Sequence, residues 1–241
     1  MMHLINNQIT IDFSQYVNID NLLKLKPYLD YAVVKTSPLA TPSRYFRSQF
    51  LEQKHFGIND IFNNPVDFDF YQDLKDNDEL ASWLRYDQDL IYGQQSVQIR
   101  YPLNWNTKHI NSEVVGIDVK YIQHWQCFFD WLANQNIFDE YGRVVVFLNE
   151  PGVSTPIHQD SADATRRDQF IWISLGNRKK MFVLDTEKNI KHYLTSPIGF
   201  FDATNYHGAD PSDLANWSLR VDGVFSDSFL AKTGLIEHFK K

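Results

Sequence analysis

QFIWISLGNRKKMFVLD, residues 169–185, decides the fold. Two apolar runs rich in aromatic and branched side chains, QFIWISL (169–175) and KKMFVLD (179–185), flank Gly176-Asn177. Runs of this length and composition predict strands, and the Gly-Asn step supplies the positive φ that a chain reversal needs. The signature repeats on both sides. RVVVFLN (143–149) precedes it, and KHYL (191–194), IGFFDA (198–203) and WSLRVDGVF (217–225) follow, broken at Pro151-Gly152, Ser196-Pro197 and Asp210-Pro211. Many short strands at close spacing predict a mainly β fold, a sandwich or barrel rather than a βαβ sheet.

The residues before this block read differently. Asp20 is expected to cap a helix through Leu22, Leu23 and Leu25 that stops near Pro27, and Leu80, Trp83 and Leu84 suggest another. After Asp118, Ile122, Trp125, Phe129 and Leu132 recur at spacings of three and four, an apolar helical stripe suited to covering a sheet. Cys127 lies within it as a packed apolar thiol. The expected organisation is one domain over 1–241: an α-rich support region (1–142), a β core (143–227) and a C-terminal tail (228–241). The stretch 36–56, with Arg44, Tyr45 and Arg47, reads either as a lid or as connecting structure.

Composition removes several function classes. With 23 basic against 30 acidic residues and a net charge of −7, no basic stripe for tracking phosphates is visible, so no nucleic-acid partner is expected. No stretch approaches the ~18 apolar residues of a membrane span, and the opening MMHLINNQITIDF lacks the charged and apolar regions of a secretory leader. A cytoplasmic location follows as the expectation. There is no GxGxxG, no GxxxxGK[ST] and no GxSxG, which leaves dinucleotide, P-loop and serine-hydrolase chemistry without a motif.

What does carry chemistry is His158-Gln159-Asp160, followed by His207 and then Arg220. Two imidazoles and one carboxylate form the facial ligand set of non-haem Fe(II), which leaves open positions on the metal. Residues two apart on an extended segment share a side and can reach one ion. His207 is the preferred third ligand, with His192 as the alternative. Arg220 sits between Leu219 and Val221 in a strand, where a guanidinium needs an anion. That anion is either a ligand carboxylate or a neighbour, Asp222 or Asp227. Ser218 shares the strand face of Arg220, and Asn149 shares that of Phe147.

In this order, a strand, His158-x-Asp160, further strands, His207 and a strand carrying Arg220 resemble the Fe(II)/2-oxoglutarate-dependent oxygenases over roughly residues 143–227. The resemblance implies a double-stranded β-helix, the jelly-roll of cupin-like proteins, with supporting N-terminal helices. It implies Fe(II) on His158, Asp160 and His207, and 2-oxoglutarate as cosubstrate with its distal carboxylate on Arg220; beside it, Ser218 is a candidate hydroxyl for the same carboxylate and Asn149 a candidate contact to 2-oxoglutarate or substrate. The reaction it implies uses O2 to hydroxylate an unactivated C–H while 2-oxoglutarate becomes succinate and CO2. Asp160 speaks for hydroxylation over halogenation, because halogenases of this kind carry a small residue there.

An amino-acid-like small molecule is the expected substrate, a peptide or protein side chain the next choice. Arg167 is the first candidate contact and Arg166 the second, against the reading of SADATRRDQF as a solvated loop. Two other functions stay open: a non-catalytic cupin-type metal-binding module, and a metal-dependent hydrolase with Asp163 as base. Oligomeric state is not readable from the sequence.

Overall fold

A computed structural model describes residues 4–5, 8–36, 88–89, 94–99, 119–149, 152, 154–161, 167–175, 179–214 and 216–239. The predicted helix around Leu80, Trp83 and Leu84, the stretch 37–56 and the residues Arg166 and Asp163 lie outside them.

Eight strands build the core: β4 (Phe138–Asn149), β5 (Thr155–His158), β6 (Phe170–Ile173), β7 (Lys180–Asp185), β8 (Ile190–Tyr193), β9 (Ile198–Phe201), β10 (His207–Asp210) and β11 (Asn216–Phe225). They fall into two antiparallel sheets, one ordered β9-β6-β11-β4 and the other β5-β10-β7-β8. Successive strands switch sheets at every step but the β7–β8 hairpin, which winds a double-stranded β-helix, as expected. Three further strands widen the larger sheet: β1 (Thr10–Asp12) pairs with β9, while β3 (Gln94–Ile99) and β2 (Gln88–Asp89) extend it beyond β4.

Register assigns each face. Val145, Arg220 and Trp172 stand in one row across β4, β11 and β6, with Phe147 and Ser218 in the next and Asn149 and Asn216 beyond. These line the inside of the roll. The alternate residues Val144, Val146, Leu219, Val221, Ile171 and Ile173 are buried on the outer face of the larger sheet. The N-terminal helices lie against that face: Trp217 donates its indole N–H to Asp30 Oδ1 at 2.8 Å.

Asp30 belongs to α2 (Lys26–Thr36), which packs on α3 (Val119–Ala133); α3 buries Trp125, Phe128, Phe129 and Leu132. One helix-end expectation changes: Asn18, not Asp20, caps α1 (Ile19–Lys24), its Oδ1 accepting from Asn21 N–H at 3.1 Å. The helix stops before Pro27 as expected, at Lys24, and Pro27 stands in the first turn of the next helix, where its missing N–H breaks no helical hydrogen bond. The stretch expected as a tail forms α4 (Asp227–Thr233) and α5 (Ile236–Phe239), capped by Ser226 and separated by Gly234 at φ 74°. Phe229 and Leu230 of α4 are buried. No described helix is long and apolar enough to cross a membrane.

Candidate metal centre

The smaller sheet brings the ligand residues together. His207, the first residue of β10, is the register partner of His158, the last of β5, and their rings are 4.3 Å apart between centroids. Strand β5 approaches β10 closely because position 208 is glycine: a Cβ there would lie 2.9 Å from the Thr155 carbonyl oxygen. Just past β5 the chain is stitched to the turn before β10. Asp160 N–H donates to Ala203 O at 3.0 Å, and the Gln159 amide to Thr204 O at 2.6 Å. That turn is itself fixed by buried Asp202, which accepts from the N–H and hydroxyl of Thr204.

Among the described residues, His158, Asp160 and His207 form a cluster whose ligand atoms lie within 4.8 Å of one another. Both imidazoles place Nδ1 against a backbone carbonyl, Pro156 O at 2.8 Å for His158 and Asn205 O at 2.9 Å for His207. A nitrogen facing a carbonyl must donate, so in the neutral ring the proton sits on Nδ1 and Nε2 keeps its lone pair. The two Nε2 atoms stand 3.5 and 3.4 Å from the same oxygen, Oδ1 of Asp160. Two lone pairs and an anionic oxygen converging on one point repel unless a proton or a cation lies between them. Two nitrogens and one oxygen on one side of that point suit a first-row divalent metal and leave its other side open. The donor set therefore fits the expected iron.

Electrostatics agree. Burial by itself would raise the Asp160 carboxyl, but the hydrogen bonds that His158 and His207 donate when protonated and the charge of Arg220 hold it far below the ordinary carboxylate range. The hydrogen bond to Asp160 raises the His158 imidazole against the opposing effect of burial. His192 does not join the cluster: it pairs with Val183 on β8, two strands away from His207.

Arg220, expected against a cosubstrate carboxylate, meets carboxylates of this chain instead. Nε donates to Asp222 Oδ1 at 2.6 Å, Nη2 to Asp168 Oδ2 at 2.7 Å and Nη1 to Asp160 Oδ2. Arg167 is likewise engaged. Its Nε is 3.2 Å from Asp202 Oδ2 and its Nη1 donates to the His238 carbonyl at 2.9 Å, so it ties α5 to the turn before β10 instead of pointing at the site's mouth.

One charged residue the sequence reading passed over lies inside the roll. Lys179 is 5% exposed, its Nζ 5.1 Å from the ring centroid of Phe147 and 5.2 Å from that of Trp172. Burial pushes its ammonium down to about 7, and among the described residues no carboxylate pairs with it. It lines a cavity of about 410 Å3 with Trp172, Ser174, Met181 and Leu194. On the inner sheet face the Trp172 indole N–H, the Ser218 hydroxyl and the Asn149 carbonyl oxygen are buried without a hydrogen-bond partner. The signal was present in KKMFVLD, since alternation from the inward Met181 and Val183 puts Lys179 on the buried face.

No family model and no curated protein matches the chain. Among solved structures, a Pseudomonas putida prolyl-4-hydroxylase is 13% identical with a TM-score of 0.36, over 64% of this chain and 82% of its own. A Trichoplax adhaerens prolyl hydroxylase in complex with a hypoxia inducible factor peptide fragment is 10% identical, with a TM-score of 0.35 over 65% and 74%. A Bordetella pertussis cupin domain is 16% identical, with a TM-score of 0.26 over 37% and 86%. At TM-scores this low the likeness assigns neither substrate nor activity, which are read from the site itself.

Proposed function

We propose that this chain is an Fe(II)- and 2-oxoglutarate-dependent oxygenase that hydroxylates an unactivated C–H of an amino-acid-like small molecule or, next, of a peptide side chain. The observation that carries the reading is the pairing of two features: a three-ligand cluster, and inside the same roll a buried lysine with no carboxylate partner among the described residues. A metal held only for structure needs no such cation in the barrel. A dicarboxylic acid uses both, one end on the metal and the other on an ammonium.

His158, Asp160 and His207 would hold the iron. When bound, the metal and 2-oxoglutarate together activate O2 and supply the oxidising power, with succinate and CO2 as coproducts. The chain's own work is binding and exclusion. Lys179 supplies the cation for the distal carboxylate, and the unpartnered Ser218 hydroxyl stands on the same inner sheet face to add a hydrogen bond. The Asn149 side-chain amide can donate there as well. Phe147 and Trp172 keep water from the ammonium, so that the ion pair forms in a low dielectric, where it is stronger than in solvent. Asp160 remains ionised as a ligand.

The test is anaerobic titration with Fe(II) and then 2-oxoglutarate, watched for the weak visible charge-transfer band of a metal-chelated 2-oxo acid. The band is expected in the wild type and lost in His207→Ala. Metal uptake without the band overturns the reading in favour of a binding module. A succinate-release screen over amino acids and peptides then identifies the substrate.

A further inference from the structure

Asp160 presents its two oxygens to two different environments. Oδ1 faces His158 Nε2 and His207 Nε2 at 3.5 and 3.4 Å, while Oδ2 accepts from Arg220 Nη1. Arg220 has little freedom to do otherwise. It is 6% exposed, its guanidinium carbon is 4.1 Å from the ring centroid of Phe170, and its other two nitrogens are fixed by Asp222 and Asp168. The fork is thus oriented from two sides, with Nη1 left to meet Asp160.

We infer that Arg220 is a positioning residue that makes Asp160 a one-oxygen metal ligand by withholding Oδ2 from the ion. The inference rests on the reading of His158, Asp160 and His207 as a metal site, and not on any oxidative step. A carboxylate that chelates through both oxygens takes a second position on the metal. One held to a single oxygen leaves three of six octahedral positions free, enough for a bidentate 2-oxo acid and one further ligand. Partners of this outer kind commonly govern metal affinity by 10–100-fold on the order of magnitude.

The experiment uses the full chain and Co(II) alone as probe. Removing the guanidinium outright strands three carboxylates, so the informative variant is Arg220→Gln combined with Asp222→Asn, which keeps the local net charge. Arg220→Lys is the second variant, retaining the charge but not the fork. Two readouts are taken: the Co(II) dissociation constant, and the splitting between the two carboxylate stretches in the metal-minus-apo infrared difference spectrum. That splitting is wide for one-oxygen binding and narrow for chelation. The wild type is expected to show the wide splitting. Both variants are expected to show it narrowed, with Co(II) affinity reduced about 10–100-fold. If the wild type binds Co(II) and either folded variant keeps both its splitting and its affinity, Arg220 is a fold-stabilising residue and the inference fails alone. A wild type that takes up no Co(II) removes the metal reading and the inference together.

Discussion

Replacing Lys179 by methionine removes a buried ammonium and keeps most of its hydrocarbon stem, which separates what the lysine costs the fold from what it supplies to a ligand. Burial moves its pKa from 10.5 in the unfolded chain to about 7 in the folded one. At about 1.36 kcal/mol per unit, that displacement bounds the destabilisation at about 5 kcal/mol. The sign fixes where it acts. A lysine with a depressed folded pKa binds fewer protons folded than unfolded between pH 7 and 10.5, so stability rises with pH across that window. The cost is fully present below pH 7 and relieved towards pH 10.5. Lys179→Met is therefore expected to be more stable than the wild type at pH 6.5, by up to that bound, with the advantage shrinking steadily to pH 9.5. Urea denaturation at four pH values measures it. The same variant should lose a charge-assisted contact of about 1.5–3 kcal/mol to the distal carboxylate, raising the 2-oxoglutarate requirement roughly 10–100-fold. A variant less stable than the wild type at every pH, or one with unchanged 2-oxoglutarate binding, would refute the assignment of Lys179 as a desolvated anion receptor.

Affinity for 2-oxoglutarate in the wild type should fall with rising pH, approaching tenfold per unit above about 7, because binding then requires Lys179 to take up a proton; calorimetry in buffers of different ionisation enthalpy would detect the uptake. Acidification should expel the metal, beginning above the ordinary histidine range because His158 holds its proton more firmly than a free imidazole, and a Co(II) titration from pH 8 to 5.5 checks the direction. Arg167→Ala removes the contacts to Asp202 and to the His238 carbonyl, so it should lower stability by about 1–3 kcal/mol and leave the 2-oxoglutarate requirement near that of wild type. A substrate-specific loss of turnover without destabilisation would restore Arg167 to the substrate site. Gly208→Ala should loosen the pairing of β5 with β10 and weaken metal binding, read as a rise in the Co(II) dissociation constant.

The longer strands of the core were legible because apolar runs and their Gly and Pro breaks are local signals. Arg143–Asn149 falls within β4, and the runs at 169, 179, 198 and 217 each hold a strand. The two strands that carry the ligands give no apolar run of their own, since Thr155–His158 contains Pro156 and His207–Asp210 contains Gly208; only the metal-ligand reading put His158 and His207 on neighbouring extended segments. Proline is tolerated in β5 because that strand lies at the edge of its sheet, and glycine is needed in β10 because a backbone passes beside it. The triad was visible through side-chain chemistry and spacing, whereas its geometry depends on those hidden strands. For Arg220, Asp222 could be named as a partner because residues two apart share a face. Asp160 and Asp168 could not: Asp168 meets Arg220 because it directly precedes β6, which pairs with β11, and Asp160 because it follows β5 in the other sheet of the roll. Pro27 marked the end of α1 correctly but not the start of α2, because proline both stops a helix and begins one readily.

Strand β11 lies between β4 and β6, yet it is the last of the eight to be made. A chain emerging in order therefore holds β5 and its histidine before the strand that steadies Asp160 exists. Pairing Val144 with Val221 closes a long loop before any of its contacts are rewarded, so folding should be slow for a domain of this size and should end with the docking of β11. Until then β5 and β10 can already pair and hold the three residues together, while Asp160 Oδ2 still lacks the guanidinium that meets it in the finished fold.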